Sequence, residues 1–464
     1  MRTPQLADNL RRAVLQAAIA GKLNDRTSED ARDLLAAIQT EKAAQQKTGK
    51  QKKNKPLAAI SEEEIPFAIP ENWVWVRLGD AFFMQAGKYI KANDIAEKGE
   101  YPCFGGNGIR GYTKFFNREG HFPLIGRQGA LCGNINIANG KFYATEHAVV
   151  VQTFADCDPL WAGYFLTALN LNQYATSTAQ PGLSVEKIST TLIPLPPLTE
   201  QQQIVEKLNH LLTEIDELKT QEQALLATQN AFPKKLRAAL LQAAVQGELN
   251  ERTNENARDL LAAIQTEKAA LQKTGKLKKD KPLATISEEE IPFAIPENWV
   301  WVRLGNITDY GIGKQIPPEK IPIGALVIEM EDIEKDTYCL LEKHRERTPK
   351  SSKNGFFAGD VLYGKLRPYL KKVVVANEDG FCSTEIIPFN GFGKINPQYL
   401  LFCMTSPFML SNVNQLTYGM DMPRLGTNDA RNLPIPLPPL TEQQQIVAKL
   451  EALLAEIDIL ENAT

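Results

Sequence analysis

The sequence predicts an α+β fold in which two dissimilar α/β insert domains are separated by a pair of long antiparallel coiled-coil helices, with circular pseudo-twofold organisation. Three observations predict it. IPFAIPENWVWVRLG stands at Ile65–Gly79 and again at Ile291–Gly305. IPLPPLTEQQQIV stands at Ile193–Val205 and again at Ile435–Val447, each time followed by apolar residues in steps of three and four. Between these blocks, residues 81–192 and 307–434 share no evident sequence.

The gross numbers bound the problem. A chain of 464 residues holds roughly three domains of ordinary size. A hydrophobic content of 43% suffices for packed cores. No apolar run reaches the roughly 18 residues of a membrane span. The N-terminal MRTPQLADNLRRAVLQAAIAGKL is basic and turns amphipathic, which reads as a helix and not as a secretion signal. Cys103, Cys132, Cys157, Cys339, Cys382 and Cys403 form no C-x-x-C pair, the usage of a reducing cytoplasm. Net charge is −3, so any nucleic-acid surface is local. The most basic stretch is Lys343–Lys372, which holds nine Lys or Arg against Glu346 and Asp360. Seen alone, such a run reads as a solvated face.

The two copies follow one plan. The first repeated block begins at Leu10 and at Leu236, and its offset of 226 carries without a gap to Arg77 and Arg303. The second block, from Ile193 to Ile435, is offset by 242, so the extra 16 residues fall in the second insert. Near-identical scaffolding therefore flanks two different contents. Trp73 and Trp75 alternate around Val74, and Trp299 and Trp301 around Val300, after prolines that favour an extended entry. Each stretch reads as the first strand of an insert. Core packing accounts for its tryptophans, which are given no chemistry.

Helix is predicted after each IPLPPL. Thr199 stands three residues before Gln202, the spacing of a capping box, and Glu200 suits the first turn of a helix dipole. The seam expected to face a partner helix runs through Ile204, Leu208, Leu211, Ile215, Leu218 and Leu225, and on to Phe232. Pro233 is expected to kink or restart the helix. The distal copy repeats the seam with Ile446, Leu450, Leu453, Ile457 and Leu460 before the sequence stops at Thr464. Its continuation, LRRAVLQAAIAGKL, stands at the other end, so the second unit is expected to be completed by the N-terminus. The lysine-rich pieces Lys47–Lys55 and Lys273–Lys281 read as exposed loops.

IPLPPLTEQQQIV at two places, the paired PENWVWVRLG entries and the LQAAxxGxL pieces at Leu15–Leu23 and Leu241–Leu249 resemble the specificity subunits of type I restriction–modification enzymes. IGRQGALCGNINIANGKFYATEHAVVV at 125–151 and VLYGKLRPYLKKVVVANEDGFCSTEIIPF at 361–389 are similar to stretches of that family's target-recognition domains. The resemblance implies an N-terminal helical segment at 1–60, recognition domains at 61–192 and 281–434, a central coiled-coil segment at 193–280 and a distal one at 435–464. It implies a non-catalytic cytoplasmic subunit whose two domains each read one half of an asymmetric, bipartite double-stranded DNA target. The helices would set the unread spacer and dock two methylation subunits carrying S-adenosylmethionine. A restriction subunit using ATP and Mg would be able to join. A subunit serving a fused methylase–nuclease is an alternative within the same class. This chain departs from the family pattern in that its repeated blocks are nearly identical, which leaves all asymmetry to the inserts.

Base reading calls for Arg, Lys, Asn or Gln on a firm surface, and phosphate contacts for mobile cations. The first insert offers Asn107, Arg110, Tyr112 and Lys114 in a glycine-rich turn, Arg127 and Gln128 between glycines, and Lys88. The second offers Lys365, Arg367, Tyr369, Lys371 and Lys372 in one stretch and Tyr418 and Arg424 in another. Lys314, Arg345 and Arg347 complete the candidates.

Enzymatic motifs are weak. Phe104–Gly108 fits F-x-G-x-G and Asn396–Tyr399 nearly fits N-P-P-Y, the two signatures of an adenine methyltransferase. They lie in different inserts, the second proline is missing, and nothing reads as a βαβ unit at Phe104. No G-x-x-x-x-G-K-[ST] loop stands in the sequence. Glu217 and Lys219 flank a seam leucine and read as a surface pair.

Overall fold

The computed structural model describes residues 5–48, 56–129, 131–176, 181–277, 282–419 and 421–463. Contacts divide the chain into two compact units, residues 1–227 and 228–464.

In the first unit, the helix Leu6–Ile19 buries Ala7, Leu15, Ala18 and Ile19. It lies antiparallel to the early part of the helix Leu198–Gln246. Arg11 pairs with Asp216, Lys219 Nζ meets Asp8 at 2.8 Å, and Asn24 meets Glu200 at 2.6 Å, so one direction falls as the other rises. Ile204, Leu208, Leu212 and Ile215 close the same apolar cluster. A second helix, Ala31–Lys47, starts where the Asp30 side chain accepts from Arg32 N.

The repeated segments meet each other. The entry strand Val74–Arg77 pairs antiparallel with an exit strand, Leu192–Leu195, Val74 opposite Leu195 and Arg77 opposite Leu192. Between them the insert builds a six-stranded sheet. Its spatial order is Phe83–Ala86, Ala148–Gln152, Arg118–Gly126, Ile135–Ala144, Tyr101–Gly105 and Gly108–Thr113. Alternation along these strands buries Leu124, Ala138, Phe142 and Val150 together on one face. The helix Pro159–Ala168 begins at an Asp158 cap and packs Trp161 and Phe165 toward Trp73 and Phe82.

The second unit repeats the frame and changes the content. The strand Val300–Arg303 pairs antiparallel with Pro434–Leu437. Its insert holds a four-stranded sheet with very short members, a three-stranded sheet of Val373–Val375, Val361–Gly364 and Ile386–Phe389, and a hairpin of Thr417–Tyr418 with Arg424–Leu425. The helices Pro397–Thr405 and Pro407–Leu416 cover the three-stranded sheet's side of the core. The C-terminal helix Leu440–Ala463 runs antiparallel to residues 237–246: Arg237 reaches Asp458 and Glu461, while Asn250 reaches Glu442 at 2.8 Å.

Several expectations change. The sequence suggested one pair of long helices and a second unit completed by the N-terminus. In the structure the helix Leu6–Ile19 runs antiparallel to the early part of Leu198–Gln246, and the helix Leu440–Ala463 runs antiparallel to its later part. Leu212 and Leu454 are buried where Leu211 and Leu453 were expected, because a helix of 3.6 residues per turn drifts from a strict seven-residue repeat. Leu225, Phe232 and Leu460 are exposed by 59%, 54% and 54%, so the stripe ends well short of five heptads. Pro233 does not restart the helix, which runs on to Gln246 with the proline inside it. Thr199 caps nothing: the helix already starts at Leu198, and the Thr199 hydroxyl donates to Glu29 at 2.6 Å. Most of the two lysine-rich pieces lies outside the described residues.

Candidate nucleic-acid interface

The frame is locked by a buried carboxylate in each unit. Glu200 is fully buried and accepts from Trp73 Nε1 at 2.7 Å, Asn72 Nδ2 at 2.6 Å, Asn24 Nδ2 at 2.6 Å, Arg26 Nη1 at 2.6 Å and Thr27 N at 3.0 Å. Glu442 repeats the set with Trp299, Asn298, Asn250, Arg252 and Thr253. Burial alone would push these carboxyls up, but the converging donors outweigh it and hold both at about 2. The next residue finishes the lock. Gln201 donates to Pro196 O and accepts from Asp158 N, and Gln443 does the same with Pro438 O and Asn396 N. Each clamp thus ties the segment before the insert to the entry strand and to the helix after the exit strand.

Sequence reasoning placed Glu200 only in a helix dipole and missed this clamp. The signal was present: Asn24, Arg26, Thr27, Asn72 and Trp73 all recur at offset 226, and Glu200 recurs at 242. Residues common to both copies serve the frame, so readers belong among residues that differ.

In the first insert, Asn107, Arg110 and Gln128 come together with His147 around a cavity of about 710 Å³. Backbone bonds fix its walls, from Arg127 N to His147 O at 2.8 Å and from Gly129 N to Pro181 O at 3.0 Å. Asn134 donates to Asn107 Oδ1 at 3.1 Å, which orients the amide. Glycine is required beneath the groove, because a Cβ on Gly126 would stand 1.9 Å from Gly106 O. His147 Nε2 lies 3.3 Å from Glu146. It also lines the groove. Lys88 and Lys114 are exposed but are not among the groove's lining residues. Arg127 and Tyr112 are half-buried; the backbone of Tyr112 bridges to Ala96.

In the second insert, the basic run is largely neutralised from outside its own window. Arg345 and Lys343 pair with Glu378, Arg347 with Asp332, Lys353 with Glu329, and Lys371 with Asp336. Lys372 Nζ donates to Met330 O at 2.7 Å. What stays at the surface is a smaller cluster. Arg367 N donates to Pro423 O at 2.7 Å and its Nη2 to Asp421 O at 3.1 Å, which joins the 365–371 loop to the 418–424 hairpin. Lys365, Tyr369, Tyr418 and Arg424 belong to these two loops, with Tyr369 exposed by 50% and Tyr418 by 61%. Lys314 is exposed in another loop, before the strand Gln315–Ile316.

The methyltransferase-like motifs have structural roles. Phe104–Gly108 is the tip of an antiparallel hairpin. Asn396 caps the helix Pro397–Thr405, its Oδ1 accepting from Gln398 N at 2.9 Å.

Two unlike mixed α/β inserts, held by one duplicated frame, the first presenting amides and a cation and the second cations and tyrosines, make up a two-domain DNA-recognition protein. The chain belongs to the type I restriction modification DNA specificity domain family, which it matches over residues 70–227 and 296–464. It is 46% identical to the type I restriction enzyme EcoprrI specificity subunit of Escherichia coli over 153 residues, 31% of this chain and 38% of that one. It is 27% identical to the EcoDI specificity subunit over 85% of this chain and 84% of that one, and 27% identical to the EcoAI specificity subunit over 96% and 88%, both from Escherichia coli. The protein is accordingly a DNA specificity subunit with two recognition domains. Among the described residues, no helix is long and apolar enough to cross a membrane.

Proposed function

We propose that each insert reads one half of a bipartite, asymmetric DNA target, and that the helical parts set the unread gap and dock methylation subunits. The observation that carries this reading is the pairing of identical clamps with unlike contents: the frame repeats and the reading surface does not. The first half-site meets the groove of Asn107, Arg110 and Gln128. The second meets Lys365, Arg367, Tyr369, Tyr418 and Arg424. Lys88, Lys114 and Lys314 contact phosphates. The chain itself performs no catalysis. Two methylation subunits bring S-adenosylmethionine, and a restriction subunit brings ATP and Mg, in the cytoplasm.

Exchanging residues 81–192 tests the reading. With methylation subunits present, methylome sequencing should show one half-site replaced and the other kept. Replacement of both halves, or of neither, removes it. A seven-residue helical insertion between Leu218 and Phe232 should lengthen the gap and keep both half-sites. Altered half-sites with an unchanged gap would end the spacer role.

A further inference from the structure

The second insert holds a carboxylate in a place where a DNA-reading surface has no evident use for one. Glu385 sits half-buried between the two loops of the cationic cluster. Its backbone oxygen accepts from Lys365 N at 2.9 Å, and Leu425 N donates to Lys365 O at 3.0 Å, so one ladder joins Glu385, Lys365 and the 424–425 strand. Its side-chain Oε2 takes the Nε edge of Arg424 at 3.1 Å. Arg424 Nη1 leans on Met422 O at 3.4 Å, and Nη2 has no partner among the described residues. The guanidinium is thus gripped on one edge and offered on the other.

That arrangement differs from the ion pair of Arg347 in this insert. Arg347 is held by both oxygens of the buried Asp332, which consumes its planar fork. Arg345 and Lys343 share Glu378. Arg424 keeps part of its fork free beside Tyr418 and Arg367, on strands pinned by backbone bonds. A long arginine side chain otherwise loses much rotamer freedom on binding, and a fixed one loses less. The partner that suits a fixed arginine edge on a DNA-reading surface is guanine, whose O6 and N7 accept side by side in the major groove.

We propose that Glu385 is a positioning residue that aims Arg424 at a guanine of the second half-site. This rests on the two-reader assignment above. Glu385 does not touch DNA; its carboxylate would repel phosphate, and its role is to restrict Arg424. Lys365 and Arg367 stand where the neighbouring backbone passes.

The test uses the full chain expressed with the methylation subunits of its own locus and reads the methylome. Arg424→Gln should relax one guanine position of the second half-site, with discrimination there falling roughly ten- to hundredfold. Glu385→Gln and Glu385→Ala should relax that same position to a smaller degree and leave the first half-site unchanged. Arg424→Lys should also lose discrimination, since an ammonium lacks the paired edge. Thermal unfolding of each variant checks that the insert is folded, and Glu385→Gln, which keeps an acceptor for Nε, serves if Glu385→Ala does not fold. Methylation that falls uniformly at all sites with an unchanged second half-site makes Glu385 merely structural and overturns the proposal. So does relaxation of different positions by the Arg424 and Glu385 variants, or no change at all. If the second half-site fails to follow residues 307–434 when these are transplanted, the two-reader assignment fails instead.

Discussion

The indole Nε1 of Trp73 donates to the buried Oε2 of Glu200 at 2.7 Å, and Trp299 donates to Glu442 at the same distance. Each pair joins the entry strand of an insert to the helix that follows its exit. Trp73 and Trp299 are therefore core residues with one polar task, to satisfy a carboxylate that water does not reach.

Replacing Trp73 by Phe keeps the ring and removes the donor. We expect a loss of about 1–3 kcal/mol, the cost of leaving one buried group short of a partner. The loss should fall on the first unit, and Trp299→Phe should act on the second. Hydrogen exchange resolved by segment checks this. Loss of protection in both units from one substitution would contradict separate clamps.

Acid should open the clamps. Glu200 and Glu442 are held at about 2, below the ordinary 4.5, so their contribution is fully present above pH 4.5 and is lost as pH falls toward 2. The depression corresponds to about 3 kcal/mol for each. Denaturant midpoints measured between pH 6 and pH 3 should fall for the natural chain and fall less steeply for Glu200→Gln. Parallel profiles would show that other carboxylates dominate.

The helix Leu198–Gln246 should be sensitive at one end and tolerant in its middle. Leu208 is fully buried, and Leu208→Ala should cost about 2–5 kcal/mol. Leu225 is 59% exposed, and Leu225→Gln should stay within about 0.5 kcal/mol in the isolated chain. Equal costs would restore a continuous heptad seam.

The groove of the first insert should fail on the addition of one methyl group. In Gly126→Ala the new Cβ would meet Gly106 O at 1.9 Å, so the strand and the turn of Asn107 must part. Methylation should lose its discrimination at the first half-site, while the second unit keeps its unfolding midpoint. Full retention of the first half-site would place its reader elsewhere.

Much of the frame was legible because it is written twice. The entry strands followed from alternation around Val74 and Val300, and the helix after Pro197 from its apolar steps. Their partners were not legible. Trp73 and Glu200 are 127 residues apart, and no local period links an indole to a carboxylate at that range. The partner of the N-terminal helix was not legible for a related reason: the repeats show which segments correspond, and only packing brings Leu6–Ile19 beside the early part of Leu198–Gln246. In the second insert, nine cations in thirty residues read, taken alone, as a solvated face. The acids that neutralise most of them, Glu329, Asp332, Asp336 and Glu378, stand outside that window. The candidates that remain in a cluster, Arg367 and Arg424, are joined by backbone bonds that sequence spacing does not reveal.

The clamp also sets an order of events during synthesis. Asn72 and Trp73 leave the ribosome well before Glu200, which follows Asn72 by 128 residues, and Glu442 follows Asn298 by 144. Until that carboxylate arrives, the indole and the amides have no permanent acceptor, and loop closure over such a span is slow. The frame therefore finishes folding after its reader has been made. A nascent chain with a misfolded reader would keep these donors open, without the acceptor that closes the frame.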